Sequence, residues 1–98
     1  MDVEYWLNGI CFNWDRRKAA ANLRKHRAGF KTTCEVFFDP FVCFVDSELV
    51  GGEERERVIG MTASWKLLVV VYVDLGDSIR LISARSVTRK EKQAYEDQ

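Results

Sequence analysis

Ninety-eight residues, 47% apolar and 12% aromatic, suit one domain around a single hydrophobic core and are too apolar for a disordered chain. Fifteen basic residues balance fifteen acidic ones, so no global field draws the protein to nucleic acid or an anionic membrane, and either partner would need a local patch. No apolar run reaches membrane-spanning length and the acidic amino terminus lacks a secretory pattern, which leads to the expectation of a soluble cytoplasmic protein with no membrane partner.

Taken in order, Met1 to Gly9 reads as a loose leader, with Trp6 and Leu7 resting on the domain. Ile10 to Trp14 alternates weakly and suggests a short first strand. Asp15 then suits a helix N-cap, because its carboxylate can accept the orphan amide hydrogens of the first turn. The helix is expected to run to about Arg27, with Ala19, Ala20 and Leu23 as a narrow apolar stripe and Asn22 and His26 at its edge. Lys18, Asn22 and His26 follow i, i+4, i+8 spacing along one flank, with Lys25 alongside. Arg16, Arg17 and Lys18 face the positive end of the helix dipole. Asp15 and solvent can offset that; an anion site at the same amides is the other reading.

Gly29 breaks the pattern, and Lys31 to Phe38 reads as a second helix burying Cys34, Val36, Phe37 and Phe38. Asp39-Pro40 ends it, since a residue before proline is pushed out of helical geometry. Phe41 to Val45 reads as a strand apolar on both faces. Asp46 to Glu54, with Gly51-Gly52, reads as the most mobile loop. Arg55 to Ala63 is the next strand, placing Arg55, Arg57, Ile59 and Met61 on one face and Glu56, Val58 and Gly60 on the other. Leu67 to Val73 is an unbroken β-rich run typical of a strand covered on both sides. Asp74 to Asp77 supplies a turn, and Ile79 to Arg85 resumes as its antiparallel neighbour. Thr88-Arg89-Lys90-Glu91 fits a capping box, so a closing helix should run through Tyr95. The expected fold is α+β: an antiparallel sheet of about four to five strands, two N-terminal helices and one C-terminal helix, with the helices gathered on one side.

Cys11, Cys34 and Cys43 are odd in number, lie in apolar stretches and show no CxxC spacing, as reduced core thiols do. His26 is the only histidine, too few partners for a thiolate pair or a zinc site. No phosphate-loop, HExxH or GxSxG motif is present, so neither metal nor cofactor is expected. What remains is a diffuse set: Arg55, Arg57, Arg80 and Arg85 on strands, Lys18, Asn22, Lys25 and His26 on the first helix, Glu54 at a loop end, and Tyr95. Each has a plain alternative. Arg80 and Arg85 suit ion pairs with Glu56, Asp77 or Glu91, His26 suits the negative end of a helix dipole, and Tyr95 suits packing. Together they suit metal-free phosphodiester cleavage, which needs a base for the 2′-hydroxyl, cations for the phosphorane and an acid for the leaving oxygen. Arg80 and Arg85 are an odd number of positions apart, so a regular strand would point them to opposite faces unless a bulge re-aims one.

Phe12-x-Trp14-Asp15-x-x-Lys18, Asn22-x-x-Lys25-His26, Val36-Phe37-x-Asp39-Pro40, Glu54-x-x-Arg57, Ile59-Gly60 and Arg80-x-Ile82-Ser83-Ala84-Arg85, with Thr88, Glu91 and Tyr95, resemble the BrnT family. The resemblance spans residues 12 to 95. It departs at Arg27, where the family tends to carry Gly, and at Cys34, where Ala is usual. It implies a RelE-like ribonuclease toxin of a type II toxin–antitoxin module, which degrades RNA and arrests growth. The implied partner is a BrnA-like antitoxin with a ribbon-helix-helix part, in a heterotetramer or beside a toxin homodimer. Carried onto this chain, Arg85 and Arg80 would stabilise phosphate charge, Glu54 or His26 would be the general base, Lys18, Lys25 and Arg57 would hold the RNA backbone, and Tyr95 stands in reserve. A non-catalytic binding module of the same fold, acting with an antitoxin, is the alternative reading; a direct DNA-binding regulator is the third.

Overall fold

Three local rules build most of the observed elements. The computed structural model describes residues 2–98. Its strands are β1 (Asp2–Leu7), β2 (Ile10–Asp15), β3 (Cys43–Val50), β4 (Glu53–Met61), β5 (Leu67–Asp74) and β6 (Ile79–Ser86). The helices are α1 (Arg16–His26), the single turn α2 (Phe30–Thr33) and α3 (Arg89–Glu96), with a 3₁₀ segment at Cys34–Phe38. The first rule is capping: Asp15 Oδ1 accepts from the amides of Arg17 and Lys18 at 2.8 and 3.1 Å and starts α1. Thr88 and Glu91 form the full capping box of α3. Arg27, at φ 55°, ends α1 in the left-handed conformation that glycine adopts more readily.

The second rule is turn chemistry. Asn8 and Gly9 (φ 49° and 82°) and Gly51 and Gly52 (φ 57° and 81°) have positive φ at both central positions, the condition for tight hairpins. The third is alternation. In β1, Val3, Tyr5 and Leu7 pack against the core while Asp2, Glu4 and Trp6 stay exposed.

The observed fold departs from the expected one in three places. The sheet has six strands in the order β1-β2-β6-β5-β4-β3, rather than four to five, because the presumed leader is β1; the presumed mobile loop is the β3–β4 turn with the strand ends beside it, which lengthens two strands. It is mixed rather than antiparallel: β2 runs parallel to β6, through Phe12 opposite Ile79 and Asn13 opposite Arg80. There are not two N-terminal helices on one side. After α1 the chain makes only one α turn and a 3₁₀ segment, held close to β4 where Gly60 leaves room for Val36. A Cβ on Gly60 would stand 2.5 Å from Val36 Cγ1.

The helices also divide between the two faces. Phe12, Trp14, Val58, Val70, Leu81 and Ala84 cover one face of the sheet and meet Ala28, Phe30, Cys34 and Val36 from the layer that follows α1. Aromatic edges close this core, with Trp14 and Phe30 ring centres 5.7 Å apart and Phe37 and Tyr72 at 5.0 Å. We call this the helical face. On the other, open face lie Arg57, Ile59, Val69, Val71 and Arg85 by strand register, and α3 covers only its end near Cys43 and Ile59.

Asn22 joins α1 to the sheet. It is 6% exposed; its Nδ2 donates to the Ala28 and Ala84 carbonyls at 3.0 and 2.9 Å, and its Oδ1 accepts from the Ala84 amide at 3.1 Å. Since β2 pairs with β6 only near Ile79 and Arg80, the side-chain amide supplies at Ala84 what a neighbouring strand would otherwise supply. Burial pushes the Cys34 thiol up to about 12 and also raises Cys11, as expected of inert core thiols; Cys43 is half-buried and free. No helix among the described residues is long and apolar enough to cross a membrane.

Candidate functional site

Two bulges organise the open face. In the β5–β6 ladder Val71 opposes Ser83 but Tyr72 opposes Leu81, leaving Ile82 as an extra residue. Arg80 therefore opposes Val73 and Arg85 opposes Val69, positions of like parity on β5, so both arginines emerge on the same face despite their odd spacing. They stay roughly 13 Å apart along the strand, at about 3.3 Å per residue. In the β3–β4 ladder the register shifts between Phe44 and Asp46, which sets Asp46 opposite Arg57.

The result is a file of arginines, each matched with a carboxylate. Arg57 grips Asp46 with both limbs of its guanidinium, Nε lying 2.7 Å from Oδ1 and Nη2 bonded to Oδ2. Arg85 binds Glu91 in the same forked way, at 2.8 and 2.9 Å. Arg80 lies 3.8 Å from Asp2 and Arg55 lies 3.6 Å from Glu53, both looser pairs. Hydrogen bonding from Arg85 holds the Glu91 carboxyl down at about 2, and Arg57 holds Asp46 below the usual carboxylate range. Glu91 also raises Arg57, and Arg57 opposes the rise of Arg85, so these groups act on one another electrostatically.

Beside this network is a hollow of about 310 Å³ lined by Asp46, Glu48, Arg55, Arg57, Val71 and Ser83. Among the described residues the Arg55 Nε is buried without a hydrogen-bond partner. That Nε faces Glu53 Oε1 at 3.6 Å, beyond hydrogen-bonding distance, and has no surface open to the hollow. The hollow sets two guanidinium groups and the Ser83 hydroxyl against the Asp46 and Glu48 carboxylates, so an anion entering it would compete with Asp46 for Arg57.

The remaining candidates lie elsewhere. Glu54 follows the Gly51-Gly52 turn and opposes Leu49; alternation with Glu56, whose carboxylate accepts from the Tyr72 hydroxyl at 3.2 Å, puts it on the helical face. Lys18 and Lys25 are exposed on α1 and His26 is half-buried at its last turn, on the layer that packs against the helical face through Asn22. The sheet therefore brings Arg57 and Arg85 together and does not bring His26, Lys18 or Lys25 to them. Tyr95 donates to Asp39 Oδ2 at 2.6 Å, while the same carboxylate accepts from the amides of Phe41 and Met61. Burial and that bond push the Tyr95 phenol up to about 12, which suits a fastening between α3 and β4. Asp46 and Ser83 escaped the sequence reading as members of a site; it includes Arg55 in its diffuse set but gives it no role. Strand parity places Arg55 beside Arg57, but Asp46 and Ser83 join them only through bulges. Among the described residues no three His, Cys, Asp or Glu side chains gather as a metal site.

Comparison with known proteins gives two findings. A family described as the ribonuclease toxin, BrnT, of type II toxin–antitoxin systems matches residues 14–91. The chain is also similar in fold to the crystal structure of the Brucella abortus ribonuclease toxin BrnT, with a TM-score of 0.62 and 23% identity over 78% of this chain and 94% of that one. No curated protein matches it.

Proposed function

The chain belongs to the BrnT family of ribonuclease toxins of type II toxin–antitoxin systems, and from that premise we propose that it cleaves RNA without a metal ion, arrests growth, and is neutralised by a BrnA-like ribbon-helix-helix antitoxin in the cytoplasm. The observation that carries the reading is the gathering of Arg57, Arg80 and Arg85 on one open face of the sheet, where the extra residue at Ile82 brings the last two to the same side. In this reading Arg85 and Arg57 bear the charge that builds on the phosphorane, where fixed cations in a partly dry site are most effective. Arg80 holds a neighbouring phosphate, and Lys18 and Lys25 draw the flanking backbone. Glu54 or His26 takes the 2′-hydroxyl proton. Of the two, Glu54 is nearer in sequence and fold, one residue from Arg55 at the tip of the β3–β4 hairpin, so RNA laid on the open face need only turn over that tip. Tyr95 keeps α3 in place.

The test pairs induced growth with purified protein on RNA in the presence of EDTA. Wild type should arrest growth and cut RNA with the chelator present, and Arg57→Ala should lose both by at least a hundredfold while keeping its circular dichroism. Arg85→Lys belongs beside it, because Arg85 also anchors α3 through Glu91. Intact RNA with folded wild-type protein would overturn the reading.

A second reading, a binding module without turnover, has its own observation. β3 is an edge strand with Phe44 60% and Leu49 73% exposed, and an open edge of this kind offers its backbone to a partner strand, whether antitoxin or a second copy. Antitoxin binding that survives Arg57→Ala in a protein whose wild type leaves RNA intact would favour it.

A further inference from the structure

A cleft larger than the hollow at Arg57 opens elsewhere on the same face. It lies between β1 and the β5–β6 turn, encloses about 590 Å³, and is lined by Glu4, Trp6, Asn13, Asp77, Ser78 and Arg80 among others. β1 precedes the residues matched to the family, which begin at Trp14. Trp6 is 61% exposed on a paired strand rather than a loop, and its Nε1 donates to Glu4 Oε1 at 3.3 Å, which steadies the indole with a broad face toward solvent. Asn13 Nδ2 is spent on Ser78 Oγ at 3.0 Å, leaving the Asn13 carbonyl oxygen as an acceptor. Glu4 and Asp77 add carboxylate acceptors, and among the described residues Arg80 meets only Asp2, in a loose contact.

A ligand for this lining must be flat, rich in N–H donors along one edge, and anionic at one end. Excess carboxylate makes the cleft a poor groove for the sugar–phosphate backbone and a good one for a base edge. Exposed aromatic rings that stack unpaired bases, with polar groups on the base edges, are how proteins read single-stranded RNA. Guanine is the base whose Watson–Crick edge offers two adjacent N–H groups to one carboxylate; adenine and cytosine offer an amine beside an acceptor, and uracil a single N–H. We propose that this cleft is a guanine-binding subsite of the RNA substrate: the base stacks on Trp6, its N1–H and N2–H groups meet Glu4, and its phosphate meets Arg80. The subsite rests on the ribonuclease reading above and adds to it a source of sequence preference supplied by β1.

The experiment has two arms on the full chain. In the first, Trp65→Phe protein, which keeps Trp6 as its exposed indole, is titrated with 5′-GMP, AMP, CMP and UMP by fluorescence. GMP should bind at least about tenfold more tightly than the others, Glu4→Gln should remove that margin, and Trp6→Phe should retain binding that Trp6→Ala loses in the Trp65-containing chain, followed there by NMR shift of the Asn13 side-chain amide. In the second, RNA cleavage sites are mapped, and guanine at a fixed offset from the cut should vanish as a preference in Glu4→Gln. RNA cut without GMP binding or guanine preference overturns the subsite and leaves the ribonuclease reading standing. GMP bound at Trp6 with RNA intact supports the subsite and overturns that reading. Equal binding of all four nucleotides, or none, overturns the guanine assignment.

Discussion

Asn22→Asp is the substitution that most directly probes how α1 is seated. The two side chains have the same shape, but Asp replaces the Nδ2 donor of two hydrogen bonds, to the Ala28 and Ala84 carbonyls, with a further oxygen. Two buried carbonyls lose their partner, and an ionised carboxylate would face them both. An unmatched buried group costs about 1–3 kcal/mol, so the expected loss is about 3 kcal/mol or more at neutral pH, a large part of a typical 5–15 kcal/mol stability. For a domain of this size that is roughly 12 °C or more in melting temperature. The introduced carboxyl, disfavoured as an anion, should have a folded-state pKa above its unfolded value near about 3.9. Its penalty is then smallest below that pH, where both states are protonated, and grows as pH rises toward the folded pKa. Urea denaturation followed by far-UV circular dichroism at pH 4 and pH 7 measures both effects. A neutral-pH loss below about 0.5 kcal/mol would refute the view that Asn22 replaces a strand partner.

Other expectations follow from the same kind of accounting. Glu91→Gln keeps a side chain able to complete the capping box but removes the charge facing Arg85, so it should cost ~1–2 kcal/mol after allowance for solvent screening. Because the Glu91 carboxyl is lowered from 4.5 to about 2, that gap should be full above about pH 5 and close as pH falls through about 2. Gly60→Ala would drive a methyl to 2.5 Å from Val36 Cγ1 and 3.0 Å from the Val36 carbonyl; overpacking of this kind costs about 1–3 kcal/mol, read as a lower urea midpoint. Tyr95→Phe removes one bond to Asp39 and should cost about 1 kcal/mol while leaving growth arrest intact; loss of arrest in a folded Tyr95→Phe protein would place the phenol in the chemistry instead.

Features set by neighbours in sequence were legible. Asp15 and Thr88 announce their helices through short-range capping, and the run from Leu67 to Val73 declares a strand whatever it pairs with. The Asn8-Gly9 turn also has a local signal, with Val3, Tyr5 and Leu7 alternating into it, but the apolar Trp6 between them breaks the apolar–polar alternation, and the stretch reads as a leader. Gly51-Gly52 misled in the opposite direction, because a tight turn and a mobile loop share their composition. The parallel contact of β2 with β6 depends on residues far apart in the chain and leaves no local mark. So does the extra residue at Ile82, without which Arg80 and Arg85 would stand on opposite faces. The candidate site was therefore readable as a set of residue types, while its membership depended on strand register.

The short parallel seam between Phe12–Asn13 and Ile79–Arg80 also sets an order of events during synthesis. The β1–β2 hairpin emerges from the ribosome first, yet its only strand neighbour in the rest of the sheet is made last. Contacts this distant along the chain form slowly because the intervening loop must close first. Until β6 is released, Phe12 and Trp14 have no Leu81 or Ala84 to pack against, and the arginines of the open face have no common surface. A nascent chain of this protein therefore carries its amino-terminal hairpin as a waiting edge until β6 has been made.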